Sequence, residues 1–156
     1  MTPESYSGTP RKRSSQKGNA MVEFALAATL LVPCFVGIFQ FGYGFFVYNR
    51  MVAGVRTGAR YASLLKYTSA SEVPAPSYKD AVSNMSVYGD PAGGTTPIVP
   101  GLTPGQISVT MGMVEGAPDM VTVAVSNYSV DVVFKVLEWA NKPAASFRYA
   151  GVYSPQ

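Results

Sequence analysis

One residue is out of keeping with its neighbours. Glu23 places a carboxylate at the head of Phe24–Asn49, 26 consecutive residues without a formal charge. A carboxylate carried deep into lipid costs about 2.5–3.5 kcal/mol on insertion scales, and less near the interface. Two uses fit such a group. It is either an interfacial anchor at the favourable end of the helix macrodipole, or a charge neutralised in lipid by a cation from another chain. Catalysis is not among them. The chain has no histidine and a single cysteine, Cys34, which excludes the common zinc ligand sets, a His-paired nucleophile and an intramolecular disulfide. Asp80, Asp90, Glu115, Asp119, Asp131 and Glu138 are scattered beside turns rather than paired for acid–base work. The GDPAGG stretch at 89–94 lacks the Gly-Lys-Ser/Thr ending of a phosphate loop. No catalytic residue, metal or cofactor is expected, and the chain does not read as an enzyme.

What must hold Glu23 is a helix. The uncharged run rises about 39 Å as an α-helix, more than the roughly 30 Å hydrocarbon core of a bilayer requires. It is too long for the apolar region of a secretory signal peptide. As a core helix of a soluble domain, apolar on every side, it would need more surrounding protein than the remaining residues supply. A transmembrane helix over 19–49 is therefore expected, bent at Pro33, with the Cys34 thiol protonated and inert beside it. Residues 50–66 continue it as a helical stem with an apolar stripe at Val52, Val55, Ala59 and Ala62 and with Arg56 and Arg60 on another face. Gly54, Gly58 and Ala62 form a ladder of small residues at i, i+4 and i+8, which lets a second backbone approach closely. Either the chain's own downstream domain or a neighbouring subunit fits that ladder.

Charge is distributed accordingly. Arg11, Lys12, Arg13 and Lys17 against Glu4 give the first eighteen residues the whole formal net charge of +3, and the rest of the chain balances eight basic side chains with eight acidic ones. The pI near 9.0 thus belongs to a basic tip and not to a basic face, so a nucleic-acid partner is not expected. A basic tip beside an apolar run is a membrane signature. Residues 1–18, rich in Ser, Gly and Pro, are expected to be disordered.

Residues 67–156 read as a small α+β unit. A linker at 67–80 leads to a short helix at 79–88, then to a Gly/Pro-rich loop at 89–105 expected to be exposed and mobile. Alternation places Ile107, Val109, Met111 and Met113 on one strand and Val121, Val123 and Val125 on the next, joined through Glu115–Asp119. The following stretch is ambiguous between periods. A strand to about Val133 and a short helix to Ala140 are expected, with a last strand through Phe147, Tyr149, Gly151 and Tyr153. The fold class is α+β, a long N-terminal helix packed with a small antiparallel sheet.

In the string RKRSSQKG-NAMVEF a basic leader ends at Gly18, and counting from Asn19 puts Glu23 fifth and Phe24 sixth. This resembles a class III signal, the substrate of a prepilin peptidase. The later strings EFALAATLLVP, GIFQFG and VRTGARYAS resemble the TadE-like family, minor pilins or pseudopilins of the Tad/Flp (type IVc) pilus machinery, over residues 18 to about 66. Phe24, where the main Flp pilin usually has Tyr, and about ninety residues beyond the helix fit a minor subunit better than the major pilin. Many relatives carry cysteines in the exported domain, and this chain has none there.

The resemblance implies a leader at 1–18 removed between Gly18 and Asn19, and subunit assembly through Glu23 and Phe24. The partners it implies are a prepilin peptidase, other pilin or pseudopilin subunits, a pilus assembly platform and the membrane. Its setting is the bacterial inner membrane, crossed once, with the leader cytoplasmic and 67–156 exported, in or beside a pilus used in cell adhesion. The competing reading is an uncleaved, signal-anchored envelope domain that binds through its Gly/Pro loop and never polymerises.

Overall fold

A computed structural model describes residues 16–132, 135–139 and 141–155. They form two compact units, divided between Phe39 and Gln40. The first is helix throughout. Helix α1 runs Gln16–Leu64, with Pro33 inside it, so the helix begins ahead of the expected leader boundary. Gln16 and Lys17 are good helix formers with no proline to stop them, whereas residues 1–15, expected to be disordered, lie outside the described residues.

The second unit builds its core from four sources. Val47, Met51, Val55, Ala59 and Ala62 of α1 join Val82 and Val87 of α2 (Pro76–Tyr88), Val99 and Leu102 of the loop, and the inward residues of a sheet. Pro76 at the first turn suits a position whose N–H has no partner within the helix. Gly89 ends α2 in the left-handed region (φ 76°) and donates its N–H to the Met85 carbonyl at 3.1 Å.

The loop expected to be exposed is instead anchored. Val99 and Leu102 are buried, Ile98 N–H donates to the Val87 carbonyl at 2.8 Å, and Tyr128 Oη donates to the Pro100 carbonyl at 2.7 Å. Its apolar triad Ile98, Val99 and Leu102 outweighs the Gly/Pro content around it. A single 3-10 turn at Pro104–Gln106 then leads into the sheet.

Strands β1 (Ile107–Val114), β2 (Ala117–Val125) and β5 (Ala144–Arg148) form an antiparallel sheet in the order β1-β2-β5. Ile107, Val109, Met111, Val121, Val123 and Val125 face the core. The hairpin is tighter than expected. Val114 pairs with Ala117, leaving only Glu115 (φ 52°) and Gly116 (φ 78°) as the turn, and Asp119 lies in the strand. Two positive φ values in a two-residue turn match the right-handed twist of the flanking strands. Pro118 is tolerated in β2 because β5 pairs with β2 only from Met120 onward, so no neighbour on that side needs its missing N–H.

The short helix expected up to Ala140 is not formed. Residues Tyr128–Val132 (β3) and Lys135–Trp139 (β4) pair antiparallel as a separate two-stranded ribbon, Tyr128 opposite Trp139 and Val130 opposite Leu137. Five residues are too few to separate a period of 2 from 3.6, and the β-branched and aromatic content of 130–139 favours the extended chain.

The last strand is also shorter than expected. β5 ends at Arg148, and Tyr153 instead makes an isolated parallel bridge to Tyr67.

Candidate functional site

From Met21 to Phe46, fourteen large apolar side chains of α1 are exposed, Phe24 at 76% and Phe39 at 76% among them. Val47, the next residue after Phe46, is 1% exposed. Returning such side chains to an apolar medium gains roughly 1.5–3 kcal/mol each, on the order of 20–40 kcal/mol for the set. Water is therefore the wrong solvent for this surface. α1 is long and apolar enough to cross a membrane, and it lies near the N-terminus. The side chains turn inward at Val47, two residues before the expected end of the span at Asn49, because the second unit's core begins there.

Within the exposed run, Pro33 lacks the N–H that would reach back to the carbonyl four residues earlier. Thr29 Oγ1 donates to the Ala25 carbonyl at 2.8 Å, so its hydroxyl is satisfied without a second chain. Cys34 is exposed and unbonded. Glu23 and Phe24 are both exposed, and Glu23 makes no ion pair with any described residue. Gly18 and Asn19 lie exposed in the opening turn of α1, with open space around Gly18. The first N–H groups of a helix have no intrahelical partners, so unwinding this turn to present an extended Gly18–Asn19 bond is inexpensive.

The small-residue ladder is occupied by the chain's own α2 and loop. A Cβ on Gly54 would lie 2.5 Å from the Ser86 carbonyl oxygen and would also collide with Ile98 Cδ1. One on Gly58 would lie 3.0 Å from Ser86 Cβ and 3.3 Å from the Val82 carbonyl oxygen, and would collide with Ser86 Oγ. Ser86 Oγ in turn donates to the Val82 carbonyl at 2.8 Å, which folds its hydroxyl back along α2 and keeps it slim. Ala62 is fully buried in the same core. This face of the stem is spent inside the subunit.

A second feature, which no sequence motif marks, fixes the C-terminal end of α1. Tyr67, Tyr78, Tyr149 and Tyr153 cluster, with ring centroids of 5.3 Å for Tyr67–Tyr78 and 6.3 Å for Tyr67–Tyr149 and Tyr67–Tyr153. Tyr78 Oη donates to the Ala62 carbonyl at 2.6 Å, and Tyr149 Oη lies 2.8 Å from the Leu65 carbonyl oxygen. Ala150 N–H donates to the Ser63 carbonyl at 2.9 Å. Carbonyls that a helix terminus leaves without partners are thus bonded by distant tyrosines and by the C-terminal segment. Burial raises the pKa of Tyr67, Tyr78 and Tyr149, with neighbouring tyrosines adding to the shift at Tyr67 and Tyr78. The available signal was the alternation Tyr149, Gly151, Tyr153, which reads as a strand. Gly151 is where the backbone must pass close, since a Cβ there would lie 2.6 Å from the Leu65 carbonyl oxygen.

Among the described residues no group of His, Cys, Asp and Glu is placed to hold a metal ion. What the geometry offers is a lipid-compatible helix with one carboxylate near its start, and a domain core to which α1 contributes from Val47 onward.

The family model described as TadE-like protein matches residues 18–60. Over that stretch, 43 of 156 residues, the chain is similar to TadE-like proteins. The match opens at Gly18 and closes at Arg60, so it takes in the exposed apolar run and most of the stem. No curated protein and no solved structure matches the chain.

Proposed function

We propose that this TadE-like chain is a minor pilin or pseudopilin. In this reading a prepilin peptidase cuts between Gly18 and Asn19 on the cytoplasmic side, the helix holds the subunit in the inner membrane, and the domain from about residue 67 is exported. The observation that carries it is the exposed apolar surface of Met21–Phe46, headed by Glu23, five positions after Gly18 and without an ion pair among the described residues. Cleavage would create an α-amine at Asn19, about 6 Å of helix rise from Glu23. Held by a neighbouring subunit in lipid, that amine would neutralise the carboxylate, and the cost of an unpaired charge would set the register between subunits.

The test is the mass of the protein in native membrane fractions. Removal of 18 residues leaves 138 of 156, beginning at Asn19. A membrane form that retains Met1 supports the uncleaved, signal-anchored binding domain instead, and a cut inside the apolar run defeats both.

A further inference from the structure

Beyond Phe46 the stem of α1 has three faces with different fates. One enters the core through Val47, Met51, Val55 and Ala59, and a second packs Gly54 and Gly58 against Ser86. The third is open to solvent and carries Arg50, Arg56 and Arg60. At about 100° per residue these arginines fall within an arc of roughly 120°. Arg50 already has a partner, since its guanidinium lies 5.2 Å from the centroid of the Phe46 ring. Arg56 and Arg60 stand about 15 and 21 Å of helix rise beyond Phe46, past a headgroup layer of roughly 5–8 Å.

The charges of the chain beyond the membrane are segregated. Residues 47–66 contain Arg50, Arg56, Arg60 and Lys66 and no acidic residue, whereas 67–156 contain four basic and seven acidic residues, a net charge of −3. Folding does not pair the two sets among the described residues. Among the described residues the one ion pair is Arg148 with Asp119, at 3.5 Å, and exposed Glu72, Asp80, Asp90 and Glu115 pair with no cation.

We infer that the Arg56–Arg60 face of the stem docks on the acidic exported domain of a second copy of this chain. A basic surface on one copy that meets an acidic surface elsewhere on the next makes a heterologous contact, which propagates instead of closing into a symmetric dimer. The inference deepens the assembling-subunit reading and rests on it. Lipid phosphate is the lesser candidate, because at the usual tilt of about 20° the headgroups reach Arg50 but not Arg60. Exposed pairs of this kind act additively and are screened, with a Debye length of about 8 Å at physiological ionic strength and about 3 Å at 1 M.

The experiment measures self-association of the full chain by energy transfer between labelled copies in phosphatidylcholine vesicles. Raising salt from physiological to 1 M should weaken association at least tenfold, and R56E/R60E should do the same at physiological salt. A second variant, E72K/D80K/D90K/E115K, should also lose association with itself, and mixing the two variants should restore it. R56Q/R60Q serves as the milder check, with intermediate loss. Unchanged association in both charge-reversed variants, or no rescue on mixing, overturns the inference, as does association that appears only when phosphatidylglycerol is added. Cleavage after Gly18 is scored separately on each variant in native membrane fractions, where the peptidase is present. Its absence in the parent chain defeats the pilin reading, whereas normal cleavage with charge-independent association defeats only the docking surface.

Discussion

Gly58 and Ser86 meet where α1 crosses α2, close enough that a Cβ on the glycine would sit 3.0 Å from the Cβ of the serine. The contact decides a question the small-residue ladder leaves open, since the ladder fits a neighbouring subunit equally well.

Replacing Gly58 by Leu should therefore damage the subunit itself. Overpacking of a close contact typically costs about 1–3 kcal/mol, and the gain of somewhat under about 1 kcal/mol in helix propensity offsets only part of it. Thermal unfolding of the detergent-solubilised chain should shift downward before any assembly is examined. Gly58→Ala combined with Ser86→Gly should recover most of the loss suffered by Gly58→Ala alone. Equal stability of Gly58→Leu and the parent would mean that the contact is not tight in solution.

The tyrosine cluster makes the domain sensitive to alkali. The hydroxyls of Tyr67, Tyr78, Tyr128 and Tyr149 all titrate above the ordinary 10.0 in the folded chain, chiefly because burial disfavours the phenolate. A pKa raised on folding contributes stability that is fully present below the unfolded value and is lost as pH rises from there through the folded value. Stability should fall from about pH 10 upward. Tyr78→Phe should flatten that fall while costing about 1 kcal/mol at neutral pH through loss of the bond to the Ala62 carbonyl. Melting curves at pH 8, 9.5 and 11 separate the two effects, and an identical pH slope in the variant would remove Tyr78 from the account.

The hairpin tip offers a stabilising change. Glu115 adopts φ 52°, a conformation that β-unbranched but bulky residues enter at a cost and that Asn enters readily. Glu115→Asn should raise stability by about 0.5 kcal/mol, seen as a small upward shift in the melting temperature. A loss of stability would show that the carboxylate contributes more than the turn geometry.

The long helix was legible because 26 uncharged residues admit few alternatives, and β1 and β2 because apolar and polar or small residues alternate over Ile107–Met113 and Val121–Ser126. The stretch after Val132 was not, since Val132, Val133, Val136, Leu137 and Ala140 satisfy a helix face as well as a strand over so short a length. The burial of Val99 and Leu102 was hidden by the Gly and Pro around them, which report backbone shape and not exposure. The tyrosine cluster was illegible for a different reason. Tyr67 and Tyr149 are 82 positions apart, and only the folded chain places their bonds at the end of α1. At the candidate site, Glu23 stood out by its charge and the resemblance to a class III signal picked out Gly18, Asn19 and Phe24, and the structure adds that all four are exposed.

Glu23→Ala addresses the mechanism most directly. The substitution removes a charge from the head of the apolar run, so insertion into the membrane should be unimpaired or easier. Gly18 and the basic leader are untouched, so cleavage should persist and the mature chain should still begin at Asn19. What should fail is engagement with neighbouring subunits, because the amine of Asn19 in an adjacent copy would lose its counter-charge in a medium where an unpaired charge is costly. The variant should accumulate in the membrane at normal level and mature length, with pilus assembly reduced at least tenfold. Glu23→Asp keeps the charge on a shorter side chain and should recover part of the activity. Retention of the leader in Glu23→Ala would place the glutamate in recognition by the peptidase. Normal assembly by the processed variant would reduce it to an interfacial anchor, and the charge-pairing mechanism would fall while the membrane-spanning helix stood.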